Sequence, residues 1–507
     1  MMEYLVTQAQ MKQYDKNTIE YLKIPSAVLM ERAALVTVEE LLKEKGNAPQ
    51  KALIVAGCGN NGGDGLAIGR LLMRRGFPVD VVLLGSPAKC SGETRLQTEI
   101  LARYGVRLYD TIPEREYDIV IDAIFGIGLT REIEGIYKDA IEAINGMKAY
   151  VCSVDIPSGI HADSGKILGC AVKADMTVTY GFYKLGEFLY PGTEYCGKII
   201  CRQMGIDEYS FLGKKPVWYT YTGKNDVILP KRKANGNKGT FGKTLIIAGS
   251  DNICGAALMA GKSVFRMGAG MVRIVTSCQN REVIQQALPE AMVTVYDTTL
   301  WQADTPDAAF ISAFLEAHEW ADCILIGPGI GTGQEAQWML RYCLNESTLP
   351  MVVDADGLNL IAAGRVDMAA HKENVILTPH LLEFARLAGC SVKEVSENIT
   401  VYPKKLSEKM HCIVVCKDAR TVVAASENEM LYLNTSGNAG MATAGAGDVL
   451  AGMIAGLLSQ GMDAEKAAVT GVYLHGLAGD MAADAHGEYS MMATDIIEEL
   501  EELLKTC

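Results

Sequence analysis

Short apolar runs alternate along this chain with stretches whose apolar residues recur at helical spacing. In the first half the runs are KALIVA (51–56), PVDVVLLG (78–85), YDIVIDAIFG (117–126), AYVCSVDIPSGI (149–160), DMTVTYG (175–181) and GKIICRQMGI (197–206). Continuous apolar runs of this length, bounded by glycine and polar residues, predict strands buried on both faces. Between them lie helical patterns at 66–76 and 91–105, and residues 8–45 predict two more helices. The second of that pair carries Leu29, Ala33, Val36 and Leu41 on one face and ends in KEKG, a basic last turn with a glycine stop.

The second half repeats the alternation. Strands are predicted at TLIIAGS (244–250), MVRIVTS (271–277), CILIGPGIG (323–331), PMVVDADGLNL (350–360), NVILTPH (374–380) and CIVVCK (412–417). Helices are predicted at 255–267, at 381–389 and from Val449 onward. Strand–helix alternation predicts parallel α/β domains, here two: residues 1–215 and 229–507. Residues 216–228 read as a linker, and the basic stretch at 238–242 as a lip able to attract phosphate. Gly261-Lys262-Ser263 is not a phosphate-binding loop, because the stretch is apolar-periodic helix and Ala256 stands where the motif needs its first glycine.

The net charge of −14 disfavours nucleic acid and anionic membranes as partners. No apolar segment reaches the length of a membrane span, and MMEYLVTQAQMKQYD lacks the apolar core of a signal peptide. The 14 cysteines form no CxxC pair and sit mostly in apolar runs, so they read as reduced core residues of a cytoplasmic protein. The 23 methionines read as core filler.

Three first-half strands end in polar loops: GCGNNGGDG (57–65), Asp122 with GIGLTREIEG (126–135), and Asp155-Ile-Pro-Ser158-Gly. In a parallel sheet the carboxyl ends of strands converge on one crevice. Gly57-x-Gly59-x-x-Gly62 has the spacing of a dinucleotide loop, but the acidic residue expected further on would be Asp80, at the wrong end of its strand. The cluster Asn60, Asn61 and Asp64 fits ligands for a cation or for polar substrate groups, or an Asx-rich turn that caps the helix. Asn61, Asp122 and Ser158 could supply oxygens to a monovalent cation, with Asp155 facing a substrate, or could simply cap their loops.

In the second half Asn434–Leu458 reads as a glycine loop turning into a buried helix. Glycines before a helix admit a ligand close to the backbone, and the helix N-terminus suits phosphate. Asp448 there is either a helix cap or a general base for a hydroxyl beside the phosphate. His380, after Thr-Pro, is either a satisfied loop residue or a ligand, and His475, mid-helix, reads as packing or a hydrogen bond to the 434–448 loop.

GNNGGDGL, DAIFGIGL and VDIPSG resemble the three motifs of the NAD(P)H-hydrate epimerases, over about residues 1–215. The resemblance implies a Rossmann-like domain that binds NADHX and NADPHX through Asn60, Asn61, Gly62, Gly63, Asp64 and through Gly126, Ile127, Gly128, Leu129, Thr130, Arg131 and Glu132. It implies K+ at Asn61, Asp122 and Ser158, and Asp155 at the reacting carbon. GPG, DADGLN, TPH, the lysine turn and GAGD resemble the ribokinase-like, ADP- or ATP-dependent NAD(P)H-hydrate dehydratases, over residues 225–507. That implies a hydrate site at Ala256, Gly329, His380 and Asp448, an adenine nucleotide on Lys417, Asp418, Ala419, Arg420, Thr421 and Gly447, and Mg2+. Two departures stand out. Asp418 replaces the family's glycine after the lysine, and AGAGD replaces GGTGD. Metabolic enzymes of this type are expected to be homo-oligomers. The alternative is a ribokinase-type small-molecule kinase with an N-terminal ligand-sensing domain.

Overall fold

A computed structural model describes residues 2–223, 227–301, 307–368 and 374–505. It divides into two compact units, Glu3–Trp218 and Tyr219 to the C-terminus.

The N-terminal unit holds a seven-stranded parallel sheet. In spatial order its strands are Leu108–Tyr109, Val79–Leu83, Ala52–Ala56, Ile119–Ala123, Tyr150–Val154, Met176–Tyr180 and Lys198–Arg202. Strand order reverses between Ala52–Ala56 and Ile119–Ala123, which opens a crevice beyond their carboxyl ends. Both central strands are buried along their whole length, as their unbroken apolar runs require. Helix Asn60–Arg74 covers one face, and Ile141 and Ile144 of helix Ile136–Asn145 join the core on Leu53, Val55 and Val120. The predicted loop at 57–65 is shorter than expected: the helix begins at Asn60, so the NNGGD cluster forms its first turns. Glycine permits this, because a Cβ on Gly62 would come within 1.8 Å of the Gly57 carbonyl oxygen. A strand not foreseen, Met2–Val6, pairs in parallel with Tyr183–Lys184.

The C-terminal unit continues the same logic. Strands Met292–Tyr296, Met271–Ser277, Lys243–Ile247, Cys323–Ile326, Met351–Val353, Val375–Leu377 and Ile413–Cys416 are parallel, and antiparallel Val422–Ala425 and Leu431–Leu433 extend the sheet. Strand Trp218–Tyr221 follows beside Leu431–Leu433, and Tyr219 and Tyr221 pack on Tyr432. Part of the 216–228 stretch is therefore ordered strand, and 224–226 lie outside the described residues. The strand read at 350–360 stops at Val353, and Asp356–Ala362 is helix. Helix Ala446–Ser459 is apolar all round and correspondingly buried. It packs closely on helix Gly255–Arg266, since a Cβ on Gly452 would lie 2.5 Å from the Ala260 oxygen. Gly261, Lys262 and Ser263 sit within that helix, as the apolar periodicity requires.

Among the described residues no helix is long and apolar enough to cross a membrane.

Candidate active sites

The N-terminal crevice is a cavity of about 660 Å3. Asn60, Asn61 and Asp64 line it from the helix start, Gly126 to Arg131 from the loop after Ile119–Ala123, and Asp155 from the loop after Tyr150–Val154. Gly62 and Gly63 are buried behind that surface. Glu132 is not part of the wall; its carboxylate stands by Gly169. Asp80 is engaged by Arg115 and by the Tyr117 hydroxyl, each at 2.9 Å, so it takes no part in the crevice.

Asp122 and Ser158 are fully buried and do not reach the cavity surface. Asp122 lies in register with Ser153, whose hydroxyl donates to it at 2.8 Å. Ser158 donates its N–H at 2.9 Å and its hydroxyl at 2.5 Å, and the Ile124 N–H adds a weaker bond at 3.3 Å. Burial nevertheless raises the Asp122 pKa, against the pull of these donors. The Asn61 Nδ2 atom is buried without a partner. An amide turned over would present its oxygen there.

Asp155 sits at φ +67°, a conformation that costs a non-glycine residue about 1–3 kcal/mol and persists only where its surroundings fix it. Its carboxylate forms an ion pair with Lys184, whose side chain is fully buried and also donates to Thr179 Oγ1 at 2.6 Å. Burial lowers the Lys184 pKa, but Asp155 and Glu187 outweigh it and leave the ammonium favoured. Glu187, buried behind the lysine, is pushed up to about 8 by burial.

In the C-terminal unit the carboxyl ends of three adjacent parallel strands carry Asp354, Thr378 with His380, and Lys417. Lys417 Nζ meets Asp354 Oδ1 at 2.8 Å, and the Thr378 hydroxyl donates to the same oxygen at 2.7 Å. Lys417 faces the start of helix Ala446–Ser459, since a Cβ on Gly447 would lie 3.3 Å from its nitrogen. That helix is capped by Gly445 at φ +96°, so Asp448 is not its cap. Burial raises the Asp448 pKa to about 6, and Asp354 adds to the rise while Lys417 opposes it. Ala355, between Asp354 and Asp356, is left-handed at φ +51°.

Gly329, at φ +62°, abuts Ala256, whose Cβ would lie 3.3 Å from one placed on the glycine. His380 caps helix Leu381–Ala388: its Nδ1 accepts from the N–H groups of Leu382 and Glu383. Nδ1 is therefore unprotonated and the ring carries its proton on Nε2. Burial and then Lys417 lower its pKa. Asp418 to Thr421 form the turn from Ile413–Cys416 to Val422–Ala425, and Arg420 reaches the Thr435 carbonyl at 3.5 Å. Asp418 has no left-handed backbone, and neither do Ala444 and Ala446. The two replaced glycine positions, Asp418 and Ala444, and the replaced threonine position, Ala446, thus carry no left-handed strain. Gly445, which the left-handed backbone does need, is present, and Gly447 keeps the space in front of Lys417 open. His475 is buried mid-helix beside the Ala446 backbone, and burial depresses its pKa to about 4.

Sequence reasoning passed over Asp15, Glu93 and Tyr180 in the N-terminal cavity and Lys184 beside it, and it placed Asp354 in the DADGLN motif without giving it a role. Asp15 sits in an ordinary helical pattern, and nothing in its spacing separates it from a surface residue.

The molecule is an α/β enzyme with a Rossmann-like crevice in one unit and a ribokinase-like cluster at a helix N-terminus in the other. The profile of NAD(P)H-hydrate dehydratases matches residues 244–502 and that of the YjeF-related protein N-terminus residues 26–186. The bifunctional NAD(P)H-hydrate repair enzyme of Thermofilum pendens is 35% identical over 98% of this chain and 95% of its own. That of Moorella thermoacetica is 35% identical over 99% and 97%. A ribokinase-like superfamily protein from Enterococcus faecalis matches in structure at a TM-score of 0.50, with 29% identity, over 57% of this chain and 95% of its own. The chain belongs to the family of bifunctional NAD(P)H-hydrate repair enzymes.

Proposed function

We propose that the N-terminal unit interconverts the R and S forms of NADHX and NADPHX, and that the C-terminal unit dehydrates the S form to NAD(P)H. ADP or ATP is consumed in the second reaction, giving AMP or ADP and phosphate. The observation that carries this reading is the pairing of two built sites, each in its own unit. A small-molecule kinase has no need of the NNGGD and DIPSG crevice, and that alternative is not favoured.

Hydroxide is a poor leaving group. Phosphorylation of the substrate hydroxyl makes it a good one, and the ring nitrogen lone pair then drives elimination. Asp448, recessed but partly neutralised by Lys417, takes the hydroxyl proton. Lys417 and the first N–H groups of helix Ala446–Ser459 stabilise charge on the transferring phosphoryl group. Ala256, Gly329 and His380 hold the hydrate, and the 417–421 turn with Gly447 holds the nucleotide. Among the described residues no cluster of three His, Cys, Asp or Glu side chains could hold a metal. Mg2+ bound to the nucleotide phosphates would neutralise their charge beside Lys417 and the helix N-terminus.

In the epimerase unit Asp155 works at the reacting carbon, and Asn60 to Asp64 with Gly126 to Arg131 hold the substrate. The residues fit K+: Asp122 is a buried carboxylate, and the orphaned amide of Asn61, turned over, would offer its oxygen. Asn61, Asp122 and Ser158 would hold the ion, which supplies positive charge behind the cavity wall. A cytoplasmic setting and a homo-oligomeric state complete the proposal.

The test is to incubate the protein with mixed R and S NADHX, Mg2+, K+ and either nucleotide, following reduced-nicotinamide absorbance and phosphate. Conversion of both epimers with stoichiometric phosphate is expected. Conversion of the S fraction alone would reduce the N-terminal unit to a binding module. A stable phosphoester in place of phosphate would favour the kinase.

A further inference from the structure

The N-terminal cavity contains two carboxylates whose environments differ from that of Asp155. Asp15 comes from helix Gln8–Glu20 and Asp64 from the first turns of helix Asn60–Arg74. Neither side chain has a hydrogen bond or ion pair among the described residues, while Asp155 is clamped by the buried Lys184 ammonium. The cavity wall also carries Glu93 and, from the helix of Asp15, Lys12.

We propose that Asp15, acting with Asp64, is the acid of the epimerase site and that Asp155 is its base. The inference rests on the epimerase reading above. Two unpartnered carboxyl groups lining one recess favour a shared proton, whereas Asp155 is held against the buried Lys184 ammonium. The electrostatics agree in direction: burial raises both Asp15 and Asp64, and each is raised further by Asp155.

Inversion at a carbon bearing a hydroxyl beside a ring nitrogen needs both roles. The dyad gives its proton to the hydroxyl oxygen. The C–O bond breaks with its electron pair leaving on water, and the nitrogen lone pair forms a C=N+ bond. A water then attacks the other face, forming the new C–O bond as the pair returns to nitrogen, and Asp155 takes the proton released. The net change is inversion, with one proton moved from dyad to base and restored through solvent. In the opposite direction the roles exchange.

The experiment follows epimerisation of R-NADHX by the full-length protein, with pH profiles for wild type, Asp15→Asn and Asp15→Glu. Asp15→Asn is expected to lower epimerisation kcat by about 10²–10⁴-fold with little change in KM. It also removes the repulsion from Asp15, which adds to burial and Asp155 in raising Asp64, so the alkaline limb moves to lower pH. The other titratable groups facing the recess are Lys12, Cys58, Glu93, Arg131, Tyr137, Asp155 and Tyr180, and none is altered by the substitution. Asp15→Glu should restore part of the rate. Dehydration of S-NADHX by the same variant reports whether the protein is intact. A wild-type kcat in Asp15→Asn overturns the assignment, as does a loss with an unmoved limb and no rescue by glutamate. If the wild type itself fails to epimerise, the epimerase reading fails instead.

Discussion

Asp448→Asn separates catalytic from stabilising roles of one carboxylate. In the folded protein burial and Asp354 raise its pKa from 3.8 to about 6. The folded state therefore holds the proton more tightly than the unfolded chain. Such a group contributes stability at low pH and loses it as pH rises through the folded value. At 1.36 kcal/mol for each tenfold, the full rise corresponds to about 3 kcal/mol. The carboxylate still meets some solvent, which reduces the expected figure to about 2 kcal/mol. Asparagine has no charge to desolvate. Asp448→Asn should thus match wild type in unfolding free energy near pH 4 and exceed it by about 2 kcal/mol near pH 7.5. Denaturant titrations at the two pH values read this directly. Dehydratase kcat should meanwhile fall by about 10²–10⁴-fold, the usual worth of a general base, with epimerase activity intact. The wild-type dehydratase rate should fall as pH drops below about 6, because the base must be ionised. A variant less stable than wild type at pH 7.5, or one that dehydrates at near-normal rate, would refute the reasoning.

Lys417→Met leaves Asp354, 2% exposed, without its cation, and should destabilise by about 3–5 kcal/mol in urea unfolding. Adding Asp354→Asn should recover much of that loss without restoring nucleotide turnover. Gly445→Ala forces alanine into φ +96° and puts its Cβ 2.4 Å from Met259 Sδ, so dehydratase activity should drop; Ala444→Gly, at a position without left-handed backbone, should leave the rate unchanged. Ser158→Ala removes a hydroxyl that donates to Asp122 and accepts from the Phe125 N–H at 2.9 Å. It should weaken activation of the epimerase by K+ and cost about 1–3 kcal/mol in thermal unfolding.

Much of this was legible in the chain because parallel strands announce themselves. Runs such as YDIVIDAIFG carry apolar residues on both faces, and their polar ends mark the crevice. What was not legible depends on neighbours distant in sequence. The helix start at Asn60 depends on Gly62 packing on Gly57. His380 turns out to cap its own helix, a role that required its ring orientation. Asp448 could not be separated from a cap until Gly445 was seen to occupy that place. Lys184 lies in a stretch with no motif, and only the folded chain brings it to Asp155. The short strand Trp218–Tyr221 was hidden inside a polar, basic region whose average composition reads as linker.

That short strand decides how the two activities can be separated by dividing the polypeptide. A C-terminal fragment beginning at 229, the boundary suggested by composition, would lack it. Leu431–Leu433 would then become a bare, apolar outer strand, with its unpaired N–H and C=O groups open to another chain. Tyr432 would also lose the two tyrosine rings that cover it. Such a fragment should leave Tyr432 open to solvent and to self-association, whereas one beginning near 216 keeps the strand whose tyrosines cover it.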